Sequence, residues 1–163
     1  MDREAILNLL DEIYPTNALI IKPAGEFEIN RCQEDLKGIE VPELPDGYIE
    51  FLTEIANGFA WNGFEFFGTY QVTVKKSGYK LIDIVQYNYK LKYRKEGLKN
   101  KLVLGRFDDD IYIYNTKTRK YQALDALTLI EIESYDSFED MFIENVSAYI
   151  YDDDEEDDED YED

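Results

Sequence analysis

An α+β fold, with a predominantly antiparallel sheet of about six strands and N-terminal, middle and C-terminal helices packed around it, follows from three features of this sequence. Apolar residues recur at steps of three and four at Ile6, Leu9, Leu10, Ile13 and again at Tyr48, Phe51, Leu52, Ile55, Ala56. Each set lays a stripe along a helix that must face a core. Asn62-Gly63 separates the apolar runs 59–61 and 64–67, the combination that best suits a two-residue hairpin turn. From Leu102 onward, short apolar runs alternate with turn-forming clusters, as antiparallel strands do. Helices that flank such strands, without alternating with them one by one, define the class.

Taken in order, residues 2–13 read as the first helix, with Pro15 beyond its end. Thr16 to Gly25 is a packed loop or short strand around the apolar residues 18–21. A second helix spans Glu26 to Lys37 and stops at Gly38. The third covers 46–57: Pro45 or Asp46 opens it and Asn57-Gly58 supplies the left-handed residue that ends it. Strands follow at 59–61 and 64–67, with another near 70–75. Trp61, Phe64, Phe66 and Phe67 read as core, although strict alternation would turn half of them outward.

Two signals compete between Leu81 and Arg94. Val85, Tyr87, Tyr89, Leu91 and Tyr93 alternate with polar residues at the period of a half-buried strand. Asp83 and Gln86 nevertheless form a capping box, and Gly97 stands where a helix would stop. Beyond this segment, 102–107, 111–115, 120–124 and 129–133 read as strands, joined by the Asp108-Asp109-Asp110 turn and two further turns. A last helix, 137–149, starts at Ser137 with Asp140 three residues on, and buries Phe138, Met141, Phe142, Val146 and Tyr149.

With 163 residues, 44% hydrophobic, the chain is sized for one domain, here 1–151, burying roughly 70% of its unfolded surface. The single cysteine, Cys32, has no internal disulfide partner, and no stretch approaches the ~18 apolar residues of a membrane span. A cytoplasmic protein without a membrane partner is the expectation. The net charge of −20 is unevenly spread: segment 75–120 carries +8 and the last twelve residues −11. That terminal run, 152–163, cannot bury apolar surface and repels itself, so it reads as a disordered acidic tail. Its possible uses are solvation, folding back on the basic segment, or mimicry of phosphate toward a basic partner.

Histidine is absent, which removes the commonest general base and every Ser-His or Cys-His dyad. Cys32 has only Arg31 nearby to lower its pKa and reads as a small helix residue. Asp108, Asp109 and Asp110 have the hard oxygens a divalent cation needs, but lack the spaced ligands and central glycine of a calcium loop. They read as a turn. No catalytic residue, metal or cofactor is expected. Basic residues and tyrosines interleave over 75–101, as in a single-stranded nucleic-acid groove, yet a globally acidic chain repels phosphates. Nucleic acid is therefore a disfavoured partner.

Leu44, Pro45, Tyr48, Phe51, Leu52, Asn57, Gly58 and Gly68, together with the segments 102–125 and 137–146, resemble the SUKH superfamily, which groups fungal cell-wall-assembly regulators with bacterial toxin-immunity proteins. Within it the YrhA-like bacterial branch is the nearest in pattern. The resemblance runs from Pro23 to about Ile150 and turns the ambiguous segment toward helix over 83–96. It implies a non-catalytic immunity protein that binds a cognate toxin, such as a basic nuclease domain. The acids Asp108, Asp109, Asp110 and, in the tail, Asp152, Asp153, Asp154, Glu155 and Glu156 are the candidate contacts. A regulatory or scaffold role without a toxin, or a nucleic-acid-binding module using 75–101, are the alternatives.

Overall fold

The structure is a computed structural model that describes the backbone of residues 2–92 and 95–160 and the side chains of residues 2–91 and 95–150. In chain order the elements are α1 (Arg3–Ile13), β1 (Leu19–Ile20), α2 (Glu26–Gly38), α3 (Asp46–Glu54), β2 (Phe59–Trp61), β3 (Phe64–Phe66), β4 (Val72–Thr73), β5 (Lys80–Leu81), α4 (Ile84–Lys92), β6 (Lys101–Phe107), β7 (Asp110–Asn115), β8 (Lys120–Asp125), β9 (Glu131–Tyr135) and α5 (Phe138–Asp160). The fold is α+β. An antiparallel sheet runs in the order β1-β2-β3-β6-β7-β8-β9, and β4 and β5 form a separate two-stranded ribbon. Seven strands replace the expected six because Leu19–Ile20 pairs with β2, while the strand expected near 70–75 shrinks to β4 and leaves the main sheet.

One face of the sheet carries the aromatic core. The Phe142 ring on α5 lies 5.3 Å from Phe51, 5.2 Å from Phe59, 5.3 Å from Phe66 and 5.9 Å from Phe138, centroid to centroid. Rings at these separations and mixed angles combine large apolar burial with favourable quadrupole contacts. α1 closes this layer with Ile6, Leu9, Leu10 and Ile13, the four residues that its sequence stripe selects. Trp61, Phe64, Phe66 and Phe67 are all buried, so none alternates outward. Phe67 lies just past the end of β3, and its ring stacks on Tyr87 of α4, 4.4 Å away.

Side-chain amides finish strands where neighbouring strands stop. β3 pairs with β6 only from Gly105 to Phe107, which leaves Val103 without a partner on that side. Asn88 of α4 fills the gap: its Oδ1 accepts the Val103 N–H at 2.9 Å and its Nδ2 donates to the Val103 carbonyl at 2.9 Å. This demand decides the 81–94 segment for helix, with Asp83 Oδ1 accepting the Gln86 N–H at 2.9 Å as its cap. The observed helix begins at Ile84 and reaches Lys92; Tyr93 and Arg94 of the expected 83–96 lie outside the described residues.

Three helix ends and one strand depart from the reading. α3 stops at Glu54 and not at 57, because Ile55 and Ala56 both donate to the Phe51 carbonyl, while the Asn57 N–H turns to Ile21 of the β1 segment. Gly38 stays helical. The left-handed residue after α2 is Glu40, at φ 60°, with the Glu40 and Val41 N–H groups donating to the Lys37 and Leu36 carbonyls in a Schellman pattern. Strand 129–133 moves to 131–135, since Leu129 closes a turn at φ 62° and its N–H donates to the Asp125 carbonyl. α5 runs past Tyr149 to Asp160, into the 152–163 segment expected to be disordered; no glycine or proline follows Ser137 to stop it. Among the described residues no helix is long and apolar enough to cross a membrane.

Candidate functional site

The residues from which a family resemblance was expected form a structural corner. Tyr48, fully buried, donates its hydroxyl to the Phe67 carbonyl at 2.5 Å and the Leu104 carbonyl at 3.2 Å, tying α3 to β6. Asn57 donates from Nδ2 to Glu28 and Thr69, and its Oδ1 accepts the Thr69 N–H at 2.8 Å. Gly68 sits against this amide so closely that a Cβ would lie 2.2 Å from the Asn57 carbonyl oxygen. Leu44, Phe51 and Leu52 are buried, Pro45 caps α3 and Gly58 takes φ 115°. None of these groups is presented to a ligand; they set the shape.

Acidic side chains gather at one end of the sheet instead. The β6–β7 turn places Asp108 and Asp109 in solvent, with Asp108 at φ 52°, a conformation aspartate tolerates. Asp110 stands directly across the β7–β8 ladder from Asp125. Partial burial, then Asp125, Asp108 and Asp109, raise the Asp110 carboxyl above its ordinary value. Asp125 is held in the opposite sense: its Oδ1 accepts the Thr128 N–H at 2.8 Å, the Thr128 hydroxyl at 3.1 Å and the Leu127 N–H at 2.9 Å, which lowers its pKa. The Ala126 N–H donates to the Asp109 carbonyl at 2.8 Å, so the 108–110 and 125–130 turns lie side by side.

The root of the acidic tail reaches the same end. Tyr149 of α5 packs edge-on against Phe107, the residue before Asp108, at 5.3 Å, and against Phe64 at 5.9 Å and Trp61 at 6.1 Å. Asp152 follows within one helical turn. The structure thereby brings the root of the tail beside the Asp108–Asp110 turn; the side chains of Asp152, Asp153, Asp154, Glu155 and Glu156 lie outside the described residues.

Sequence reasoning missed an apolar component. Leu127 is 85% exposed, Ile130 67% and Ile132 54%, on the turn and strand that follow Asp125. Glu131 and Glu133, both exposed, interleave with them. The Leu-Ile-Glu-Ile-Glu run was the available signal, but periodicity alone does not say which neighbours cover it. Lys95 Nζ holds this turn by donating to the Ala126 and Leu127 carbonyls.

Other chemistry-bearing groups are absorbed by structure. Cys32 is buried, and burial first, then Asp83 and Asp35, push its thiol up to about 12, far from thiolate formation at neutral pH. Glu65 accepts from Arg106 Nε at 2.5 Å and from the Tyr79 hydroxyl, and Arg106 lies 5.6 Å over the Tyr87 ring, so this network fastens the β4–β5 ribbon to the sheet. The basic segment is dispersed. Lys95, Lys99 and Lys101 line a cleft of about 810 Å³ together with Glu40 and Glu96, and Lys101 Nζ donates to the Gly97 carbonyl at 3.1 Å. Among the described residues no group of three or more Asp, Glu, Cys or His is placed to hold a metal ion.

Neither the family models nor the curated proteins to which the chain was compared match it. The acidic, apolar-centred end of the sheet is accordingly the candidate site on its geometry alone.

Proposed function

We propose that this chain is a non-catalytic binding protein that neutralises a cognate bacterial toxin by direct contact, presenting the acidic end of its sheet to a cationic surface. The observation that carries the reading is the meeting of three elements at that end: the Asp108–Asp110 turn, the Asp125 turn with its exposed Leu127, and the root of the tail. The body without its last twelve residues carries −9 and the tail −11, so both have the sign that attracts a nuclease-like partner. Complementary charge of this kind raises association rates by about ten- to a thousandfold and exerts more influence on encounter than on affinity. The exposed apolar residues supply the desolvated centre that interfaces need, with the carboxylates as rim. The SUKH resemblance of residues 44–68 points the same way. Without histidine, and with its only thiol held near 12, the chain has no Ser-His or Cys-His dyad to offer.

Coexpression with a toxin encoded beside this gene tests the proposal. Growth is restored by the full chain, and binding of the purified pair weakens as salt rises. Removing residues 152–163 leaves thermal unfolding unchanged but slows association. Failure of both rescue and binding contradicts the reading.

A further inference from the structure

We propose that β9 is a docking edge for an extended segment of basic and apolar residues from a partner protein, with basic residues on both of its faces, which adds to the sheet as its eighth strand. The inference rests on the reading of the chain as a binding protein and names the chemistry that this part of its surface selects.

The two edges of the sheet differ. β1 has two residues, both half-buried, and the chain next to it is tied down, the Ile21 N–H donating to the Gly58 carbonyl. β9 has five, and Glu131, Ile132, Glu133 and Ser134 are all exposed. Among the described residues no strand pairs with its outer side. Natural edges are usually blunted by shortness, charged side chains, proline or a bulge. β9 has a bulge opposite Ala123 and Leu124 and two glutamates, which select against like-charged strands and leave the edge open to a basic one, and it holds two exposed isoleucines, Ile130 and Ile132, in and beside the strand. Such an edge offers main-chain hydrogen bonds for affinity and alternate side chains for specificity.

Charge decides the occupant. Glu131 and Glu133 lie on the strand, and Asp125 with the Asp108–Asp110 turn lies beyond its N-terminal end. A second copy paired through β9 would bring the glutamates of both edges together with no lysine or arginine on either strand to offset them, which is unfavourable. The chain's own tail, with eleven acids in twelve residues, is excluded on the same ground. The bulge sets Glu131 on the face of Leu124 and Gln122, whose Nε2 donates to the Glu131 carboxylate at 2.5 Å, and Glu133 on the opposite face with Ala123, so an extended segment with Lys or Arg on both of its faces neutralises the two glutamates while its apolar residues cover Ile130 and Ile132.

The test uses the full-length, nitrogen-15-labelled protein and a synthetic octapeptide repeating Lys-Lys-Val-Val, which carries lysine on both faces when extended. Amide exchange within Glu131–Ser134 slows by about tenfold or more on saturation with the peptide. Of two versions N-methylated along opposite edges, one retains binding and one loses it; a glutamate-valine peptide does not bind; and the double variant Ile132→Lys, Glu133→Lys abolishes protection while unfolding as the parent does. Equal binding by both methylated peptides, or no protection at millimolar peptide, overturns the proposal. Perturbation confined to 108–110 overturns strand addition while leaving the acidic-surface reading standing. Protection of β9 in a protein that neither binds nor neutralises the toxin supports the edge and overturns that broader reading.

Discussion

At the corner between Asn57 and Gly68, one side chain and its own backbone N–H take part in four hydrogen bonds and no room remains for a single added carbon, whereas along β9 four successive residues stand in solvent. The corner is over-determined: each contact constrains the next, so a change there propagates through the packed interior. The edge is under-used: β8 pairs with its inner side, but among the described residues no strand pairs with its outer side, and Ile130 and Ile132 stand more than half exposed. The residues behind the expected family resemblance therefore lie where shape is set, and the surface available for recognition lies where that pattern is silent.

The sharpest way to break this contrast is one substitution in each region. Gly68→Ala drives a Cβ into the Asn57 carbonyl and is expected to cost about 3 kcal/mol in denaturant unfolding, while Ile132→Lys changes stability by no more than about 0.5 kcal/mol. Equal effects would erase the distinction. Next in size is Tyr48→Phe, which strips the donor from the buried Phe67 and Leu104 carbonyls and costs about 1–3 kcal/mol by the same measurement.

A smaller effect of opposite sign is expected at Glu40. Its left-handed backbone is unfavourable for a side chain, so Glu40→Gly raises stability by about 0.5–1 kcal/mol, offset in part by the freer unfolded chain. Smallest is Asp110→Asn. Folding raises the Asp110 pKa above the unfolded value of 3.8, so ionisation at neutral pH works against the native state and the penalty is relieved as pH falls through the folded pKa. The asparagine variant is thus more stable than the parent at pH 7, and the difference shrinks toward pH 4 in paired denaturation curves. A difference that grows on acidification would show that Asp110 is stabilised as a carboxylate.

Much of the scaffold was legible because its signals are local. The stripe of α1 selects its four buried residues, and Asn62-Gly63 adopts positive φ at both positions, 51° and 94°. The Asp83–Gln86 cap prevailed over a strand-like alternation for a reason the sequence does not display, since the Asn88 partner Val103 is fifteen residues away and becomes unpaired only once β3 ends. Leu129 and Glu40 were unreadable because neither is a residue type that advertises a left-handed turn. At the candidate site, the acids of 108–110 and of the tail were each visible as charge runs. Their meeting depends on Tyr149 packing against Phe107, a contact across forty-two residues; Leu127 read as a turn residue, and Ile130 and Ile132 as ordinary strand residues, until their covering neighbours proved absent among the described residues.

The most direct measurement is growth of cells producing the neighbouring toxin together with either the parent chain or a folded variant in which Asp108, Asp109 and Asp110 are all replaced by Asn and Leu127 by Ser. Rescue by the parent and its loss in the variant is the predicted result. Rescue by both alike would contradict the assignment of recognition to the acidic end of the sheet.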